Sequence, residues 1–92
     1  MVSLIQSLKA LADEKRLRIL QILTVGDLCV GALAAQLGVS NPALSQHLKI
    51  LREAGLVKGE KRGYWGHYMV DKKALMQIAE KLQACVEMSE NE

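Results

Sequence analysis

The sequence contains few cysteines and no long apolar stretch, and these two absences exclude several protein classes. Only two of its 92 residues are Cys, and they form no CxxC pair. Small secreted domains compensate for thin cores with several disulfides, so we expect reduced thiols instead. No apolar run approaches the roughly 18 residues of a membrane span, and the N-terminus lacks the basic and then apolar segments of a signal peptide. We therefore expect a cytoplasmic protein with no membrane partner.

Length and composition indicate one folded domain with a surplus of apolar surface. The chain is 50% hydrophobic and carries a net charge of only +2, which is unlike the composition of a disordered protein. A domain of this size buries only about 60 to 65% of the surface of its unfolded chain. Some aliphatic side chains should therefore stay exposed, which favours self-association.

Apolar residues at helical spacing predict three helices in the first part of the chain. The first covers residues 2–11, and Asp13 is predicted to cap the second, which reads as apolar on nearly all sides and therefore buried. A turn follows at residues 25–27. The third helix covers residues 30–37, and Gly38 is suited to end it in a left-handed conformation.

The second part of the chain predicts a helix, a β-hairpin and a last helix. Ser40 is expected to cap the fourth helix, which ends at residues 54–55. Aromatic and β-branched residues predict a hairpin over residues 56–70 with a basic tip. Asp71 is expected to cap a helix over residues 72–88, and residues 89–92 are expected to fray. The predicted fold class is mainly α with a small β-hairpin, in the order α-α-α-α-β-β-α.

This order predicts a winged helix-turn-helix, with residues 30–54 as the helix-turn-helix and residues 56–70 as the wing. Residues 40–52 contain no acidic side chain, although 24% of the chain is charged, and residues 40–73 carry a net charge of +4. Polar side chains on an exposed helix can hydrogen-bond to base edges in the major groove, and Lys and Arg can bind phosphates. The pattern favours binding to double-stranded DNA.

Two other functions agree less well with the sequence than DNA binding does. An enzyme is disfavoured because the chain has no phosphate-binding loop, GxSxG or HExxH motif, and its glycines at 59, 63 and 66 are better explained by hairpin turns. A protein-interaction or RNA-binding module without an inducer is the alternative, since a pI of about 8.6 is only mildly basic. A steep salt dependence of DNA binding would distinguish the two.

Three segments resemble one known family. They are KALADEKRLRILQIL (residues 9–23), GALAAQLGVSNPALSQHLKILREAGLV (residues 31–57) and GEKRGYWGHY (residues 59–68). Together they resemble the ArsR/SmtB family of winged-helix metal- and thiol-responsive repressors. The resemblance implies a homodimer formed by the first and last helices (residues 1–11 and 72–88), a palindromic operator near its own promoter, and release by an inducer. It implies no cofactor for DNA binding itself.

The resemblance also implies a set of DNA-contacting residues. Ser45 and Gln46 are the best candidates for reading bases. His47 has two open interpretations, contact with DNA or packing under the wing, and Arg62 is expected at the minor groove or its phosphates. The aromatic residues of the hairpin are expected to cover the core, with Trp65, beside the basic tip, as the expected exception. The full predicted set is Ser40, Asn41, Ser45, Gln46, His47, Lys49, Arg52, Lys61 and Arg62.

The resemblance implies that the inducer binds thiols or imidazoles, because family members sense through these groups. Arsenic-responsive members read ELCVCDL at the entry to the helix-turn-helix, whereas this chain reads DLCVGAL at residues 27–33. Cys29 matches the first thiol, but Gly31 and Ala32 replace the second thiol and the acid. A trivalent metalloid prefers about three thiolates. The family's zinc site on the last helix is rejected, because Lys73 stands where a His is required.

Cys85 is the second candidate sensor, since it lies on the predicted dimerisation helix. A dimer would offer four thiols, so a site shared between subunits is one possibility. Sensing of reactive sulfur is another. Relatives that sense it link a thiol on the second helix to a thiol on the last helix, but Gln21 stands at the second-helix position here. The third possibility is that the two cysteines are buried structural residues that sense nothing. The candidate inducers are arsenite, antimonite, another soft metal or reactive sulfur, and the metal ligands stay unknown.

Overall fold

Five helices and three strands follow one another in the described part of the chain. This computed structural model describes the backbone of residues 2–26, 28–62 and 65–90 and the side chains of residues 2–26, 28–59 and 67–88. The elements are α1 (Leu4–Leu11), α2 (Glu14–Val25), β1 (Leu28–Cys29), α3 (Val30–Leu37), α4 (Asn41–Glu53), β2 (Val57–Arg62), β3 (Trp65–Val70) and α5 (Lys72–Glu90). The predicted winged helix-turn-helix is confirmed.

Strand β1 is absent from the predicted order and is the main correction to it. It has only two residues, too few for the alternating pattern by which strands are recognised in a sequence. It is a strand because it pairs with β3, which lies far along the chain. The predicted turn therefore leads into a third strand of the sheet before α3 begins.

Side-chain oxygens cap four of the helices. The predicted caps Asp13, Ser40 and Asp71 are confirmed, each accepting a backbone N–H three residues ahead at 3.0 to 3.2 Å. Ser3 caps α1 in the same way at 3.1 Å, so that helix begins at Leu4 rather than Val2. These bonds satisfy N–H groups that have no partner inside the helix.

Helix α2 is less buried than its composition suggests. Ile19, Leu20 and Leu23 are buried, but the side chains of Leu17 and Val25 are 47% and 92% exposed. The expectation of a helix buried on all sides is wrong, because one stripe of α2 is enough to cover the core. Ile22 is half-buried and also packs on the core, whereas Leu17 and Val25 lie at the surface.

The core lies between α4, the neighbouring helices and one face of the sheet. Its largest fully buried side chains are Ile19, Leu33, Leu44, Leu48, Leu51 and Leu56. The sheet order is β1-β3-β2 and both pairings are antiparallel. Leu28, Tyr68 and Val70 pack on the core, which agrees with the expectation that Tyr68 covers it.

Helices α1 and α5 carry most of the surplus apolar surface expected from the composition. Leu75 and Ile78 at the start of α5 pack on the core, whereas the part beyond them is exposed. The helix runs to Glu90, two residues past the predicted end at Met88. The exposed large apolar side chains of the two helices are Ile5, Met76, Leu82, Val86 and Met88. No helix in the described ranges is both long and apolar enough to cross a membrane.

Candidate nucleic-acid interface

Helix α4 is held in place from its inner side, which leaves a polar face outward. Leu44, Leu48 and Leu51 are at most 2% exposed, at the spacing that puts them on one helix face. Gly38 ends α3 with a φ of 66°, a left-handed conformation that glycine adopts without steric cost. The predicted helix-turn-helix geometry is therefore fixed by buried leucines and one glycine.

The outward face of α4 combines hydrogen-bonding groups with positive charge. The exposed polar residues of this face are Asn41, Ser45, Gln46, Lys49 and Arg52. The first acid of the helix is Glu53 at its last position. Amide and hydroxyl groups can both donate to and accept from base edges, and the cations can bind phosphates without repulsion from a neighbouring acid. The structure brings these predicted residues together on one surface.

Ser40 has a structural role in addition to its predicted place at the interface. Its side-chain oxygen accepts the backbone N–H of Ala43 at 3.2 Å, while the residue stays exposed. A serine hydroxyl that accepts one bond still has its own O–H to donate. Ser40 can thus cap α4 and still donate to a phosphate.

His47 lies against the start of α2, a position that sequence reasoning did not consider. Its Nδ1 is 3.4 Å from the Arg16 guanidinium and 4.0 Å from the Asp13 carboxylate. The side chain is 21% exposed, so only part of the ring faces solvent. A contact between that part and DNA stays a prediction.

Arg16 connects three helices at this point. Its guanidinium donates to the backbone oxygen of Ala10 at 2.6 Å, at the end of α1, and lies 3.8 Å from the Asp13 carboxylate. The pKa of Asp13 is lowered, first because the backbone N–H of Arg16 donates to the carboxylate and further because of the positive charge of Arg16. The sequence alone gives no reason to choose Arg16 over the exposed Arg18, because the difference is one of tertiary packing.

The wing is a hairpin whose base joins α4. Strands β2 and β3 pair from Val57↔Val70 to Arg62↔Trp65, and the Arg52 guanidinium lies 3.5 Å from the Tyr68 hydroxyl. Lys61 and Arg62 occupy the outer end of β2, but their side chains and that of Trp65 lie outside the described residues. Tyr64 lies outside them entirely.

The two thiols lie on different elements. Cys29 is half-buried at the end of β1, directly before α3, and Cys85 is exposed on α5. Both are free of disulfides. Among the described side chains there is no group of three or more His, Cys, Asp or Glu placed to hold a metal ion. Asp71, the start of the rejected zinc site, caps α5 and lies 3.6 Å from the Lys58 ammonium.

Comparison with known proteins decides the family. A model of the family "Bacterial regulatory protein, arsR family" matches residues 13–58, the span from the cap of α2 to β2. The chain belongs to this ArsR family. It is 49% identical over 65 residues to the arsenical resistance operon repressor of Escherichia coli, which covers 70% of this chain and 56% of that protein. The chain thus spans little more than half the length of that relative.

A second relative and two solved structures support the assignment. The transcriptional activator HlyU of Vibrio cholerae is 41% identical over 78 residues, covering 82% of this chain and 72% of that protein. A possible transcriptional regulator for arsenical resistance superposes with a TM-score of 0.79 at 38% identity, over 86% of this chain and 82% of that one. An ArsR-like regulator from Rhodococcus sp. RHA1 gives 0.88 at 32% identity, over 96% and 83%. These relatives are regulators of transcription, in agreement with the prediction that the chain is not an enzyme.

Proposed function

We propose that this ArsR-family chain is a cytoplasmic transcriptional repressor that binds a palindromic operator as a homodimer and is released by an inducer. The observation that carries the proposal is the outward face of α4, where Ser45, Gln46 and Lys49 are exposed and no acid lies before Glu53. A helix with this chemistry, held rigidly by buried leucines, fits the major groove of B-DNA.

The apolar surface of α1 and α5 supports the dimer. Val86 is 59% exposed and Ile5 is 60% exposed, and burying both in an interface would remove apolar surface from water. Two copies related by a twofold axis would present their α4 helices about 34 Å apart, one turn of DNA. The wing, with Lys61 and Arg62 near its tip, would then follow the backbone or enter the minor groove.

The DNA-binding proposal is tested by two substitutions on α4. Gln46→Ala should reduce discrimination between operator and altered operators by about 1 to 3 kcal/mol for each lost bidentate contact. Lys49→Ala should weaken binding to all duplexes alike and lower the slope of log affinity against log salt by about 1 for each copy of the helix. Fluorescence anisotropy with labelled duplexes between low and physiological salt measures both effects.

Gln21→Ala is the matched control, since Gln21 is exposed on α2 rather than α4. It should leave both affinity and salt slope unchanged. Binding that is independent of salt, or a Gln46→Ala variant with unchanged base preference, would contradict the proposal. Salt-independent behaviour would instead favour a protein-interaction module.

The inducer is proposed to be a soft metal or metalloid, or a thiol-reactive compound, that acts at Cys29 or Cys85. Relatives named for arsenical resistance favour arsenite or antimonite. The chain offers only one thiol at the entry to α3, however, because Gly31 and Ala32 replace the family's second thiol and acid. A trivalent metalloid would therefore need thiols from elsewhere in the dimer.

Single and double thiol substitutions test this part of the proposal. Arsenite should release the wild-type protein from operator DNA, and the Cys29→Ser, Cys85→Ser double variant should stay bound at the same arsenite concentration. The single variants then show which thiol carries the response. Release of the double variant by arsenite would remove both cysteines from the switch while leaving DNA binding itself intact.

A further inference from the structure

Strand β1 places the thiol of Cys29 beside an imidazole. In the antiparallel pairing of β1 with β3, Cys29 lies directly opposite His67. Side chains of directly opposed residues project from the same face of a sheet, with Cβ atoms about 4.5 to 5.5 Å apart. A thiol and an imidazole from distant parts of the chain are thereby made neighbours.

This pair lies on the face of the sheet that turns away from the core. Leu28 and Tyr68, the adjacent pair in the same ladder, pack on the core, and successive side chains of a strand alternate between faces. Cys29 and His67 therefore project from the opposite face. Both residues are half-buried, so the pair is sheltered but not sealed inside the protein.

The ring of His67 has a buried nitrogen that finds no partner in the part of the chain that the structure describes. Its Nδ1 atom is buried, and among the described residues no group forms a hydrogen bond with it. A buried polar atom without a partner disfavours the folded state, and such an atom in a native structure calls for an explanation. A ligand shared with the adjacent Cys29 sulfur would satisfy it.

We propose that Cys29 and His67 together bind one soft monovalent metal ion, held between the Cys29 sulfur and His67 Nδ1. Thiolate sulfur and imidazole nitrogen are good ligands for copper(I), which is stable with two ligands. Zinc prefers four ligands and trivalent arsenic about three thiolates, whereas no group of three or more His, Cys, Asp or Glu is placed to hold a metal ion among the described side chains. Strand β2 places Glu60 opposite His67 in the ladder, but a carboxylate oxygen is a hard ligand that does not suit copper(I). On binding, the thiol releases its proton to solvent as the sulfur–metal bond forms, and no electron is transferred.

Such a site would act at the junction of the helix-turn-helix and the wing. Cys29 directly precedes α3, and His67 lies in the central strand, which also pairs with the wing strand β2. A metal bridge would fasten the edge strand to the wing and bias the position of α3 relative to it. The step from binding to release of DNA rests on the function proposed above; the binding itself does not.

The site is tested by competition for copper(I) between the reduced protein and the coloured copper(I) complex of bicinchoninate, without oxygen. Since losing even a group that only supports a ligand costs about 10- to 100-fold in metal affinity, Cys29→Ser and His67→Gln should each weaken binding by at least about 10-fold. The matched controls, Cys85→Ser and His47→Gln, should bind as the wild type does. Unchanged affinity in His67→Gln, or lost affinity in Cys85→Ser, would overturn the proposal.

X-ray absorption of the wild-type protein loaded with copper(I) gives a test that needs no variant to fold. One sulfur and one nitrogen neighbour are expected, whereas two sulfur neighbours would refute the pair. Operator binding by the same samples separates the two proposals. Copper binding by Cys29 and His67 without release of DNA would leave this site in place and remove it from the inducer switch.

Discussion

Asp13 shows how one side chain can stabilise two parts of the fold. Its carboxylate caps α2 and also lies beside Arg16 and His47, and its pKa is lowered. A carboxyl group whose pKa is lower in the folded than in the unfolded state stabilises the fold above its unfolded pKa, and this contribution is lost as the pH falls through the folded pKa. The stabilisation should therefore be complete at neutral pH and disappear in acid.

Asp13→Asn separates the charge from the cap, because asparagine caps helices as well as aspartate does. At neutral pH the variant should have a lower free energy of unfolding than the wild type. The difference should shrink as the pH falls from about 4 through the lowered pKa of the folded state, because the carboxyl group is protonated first in the unfolded chain and then in the folded protein. Urea unfolding across the pH range, at one protein concentration, measures it, and a difference that stays constant with pH would be inconsistent with this role.

At the residue scale the sequence identifies caps and exposed polar residues better than it identifies packing partners. Asp13, Ser40 and Asp71 are found correctly because a cap acts within three residues of its own position. The contact of His47 with Arg16 joins residues of α4 and α2 that are distant in sequence. No local pattern contains that information, so the place of His47 becomes visible only in the fold.

Among the elements, the turn between α3 and α4 depends most on a single residue. Gly38 has a φ of 66°, and an added Cβ would meet no atom within 4 Å. Gly38→Ala should therefore destabilise the protein through backbone strain alone, by about 1 to 2 kcal/mol. It should also weaken operator binding, because this turn sets the angle of α4. Chemical unfolding and DNA titration measure the two effects.

Gly31 provides the matched control for this substitution. It lies inside α3, has no positive φ, and an added Cβ there would also meet no atom within 4 Å. Gly31→Ala should stabilise the protein by up to about 1 kcal/mol, since alanine favours the helix. If the two variants change stability in the same direction, backbone conformation is not what determines the effect at Gly38.

The elements themselves differ in how well the sequence predicts them. The five helices follow from the spacing of apolar residues, the hairpin from its aromatic and β-branched residues, and the cap at Gly38 from a residue type suited to a left-handed conformation. Strand β1 is not predicted by the sequence, because its two residues become a strand only by pairing with β3. The sequence does not predict the pairing of Cys29 with His67, or the metal site inferred from it, for the same reason.

For the whole molecule, composition predicts a surplus of apolar surface and the structure locates it. The chain measures 54 × 24 × 22 Å, and its exposed large apolar side chains lie mainly on α1 and α5. A small domain that is half apolar cannot bury all of these side chains in one core. Which faces of the two helices meet in a dimer depends on the partner's shape, which no pattern in one sequence specifies.

A pair of charged substitutions tests where the dimer forms. Val86→Glu places a carboxylate in the exposed stripe of α5 and should convert the proposed dimer to a monomer, because an unpaired charge is costly to bury in an apolar interface. Val25→Glu is the control, since Val25 is 92% exposed on α2, outside the proposed interface. Sedimentation over a range of protein concentrations measures the subunit equilibrium. The Val86→Glu monomer should also bind a palindromic operator far more weakly, because it engages only one half-site at a time. Dissociation by Val25→Glu in place of Val86→Glu would move the interface from α5 to α2.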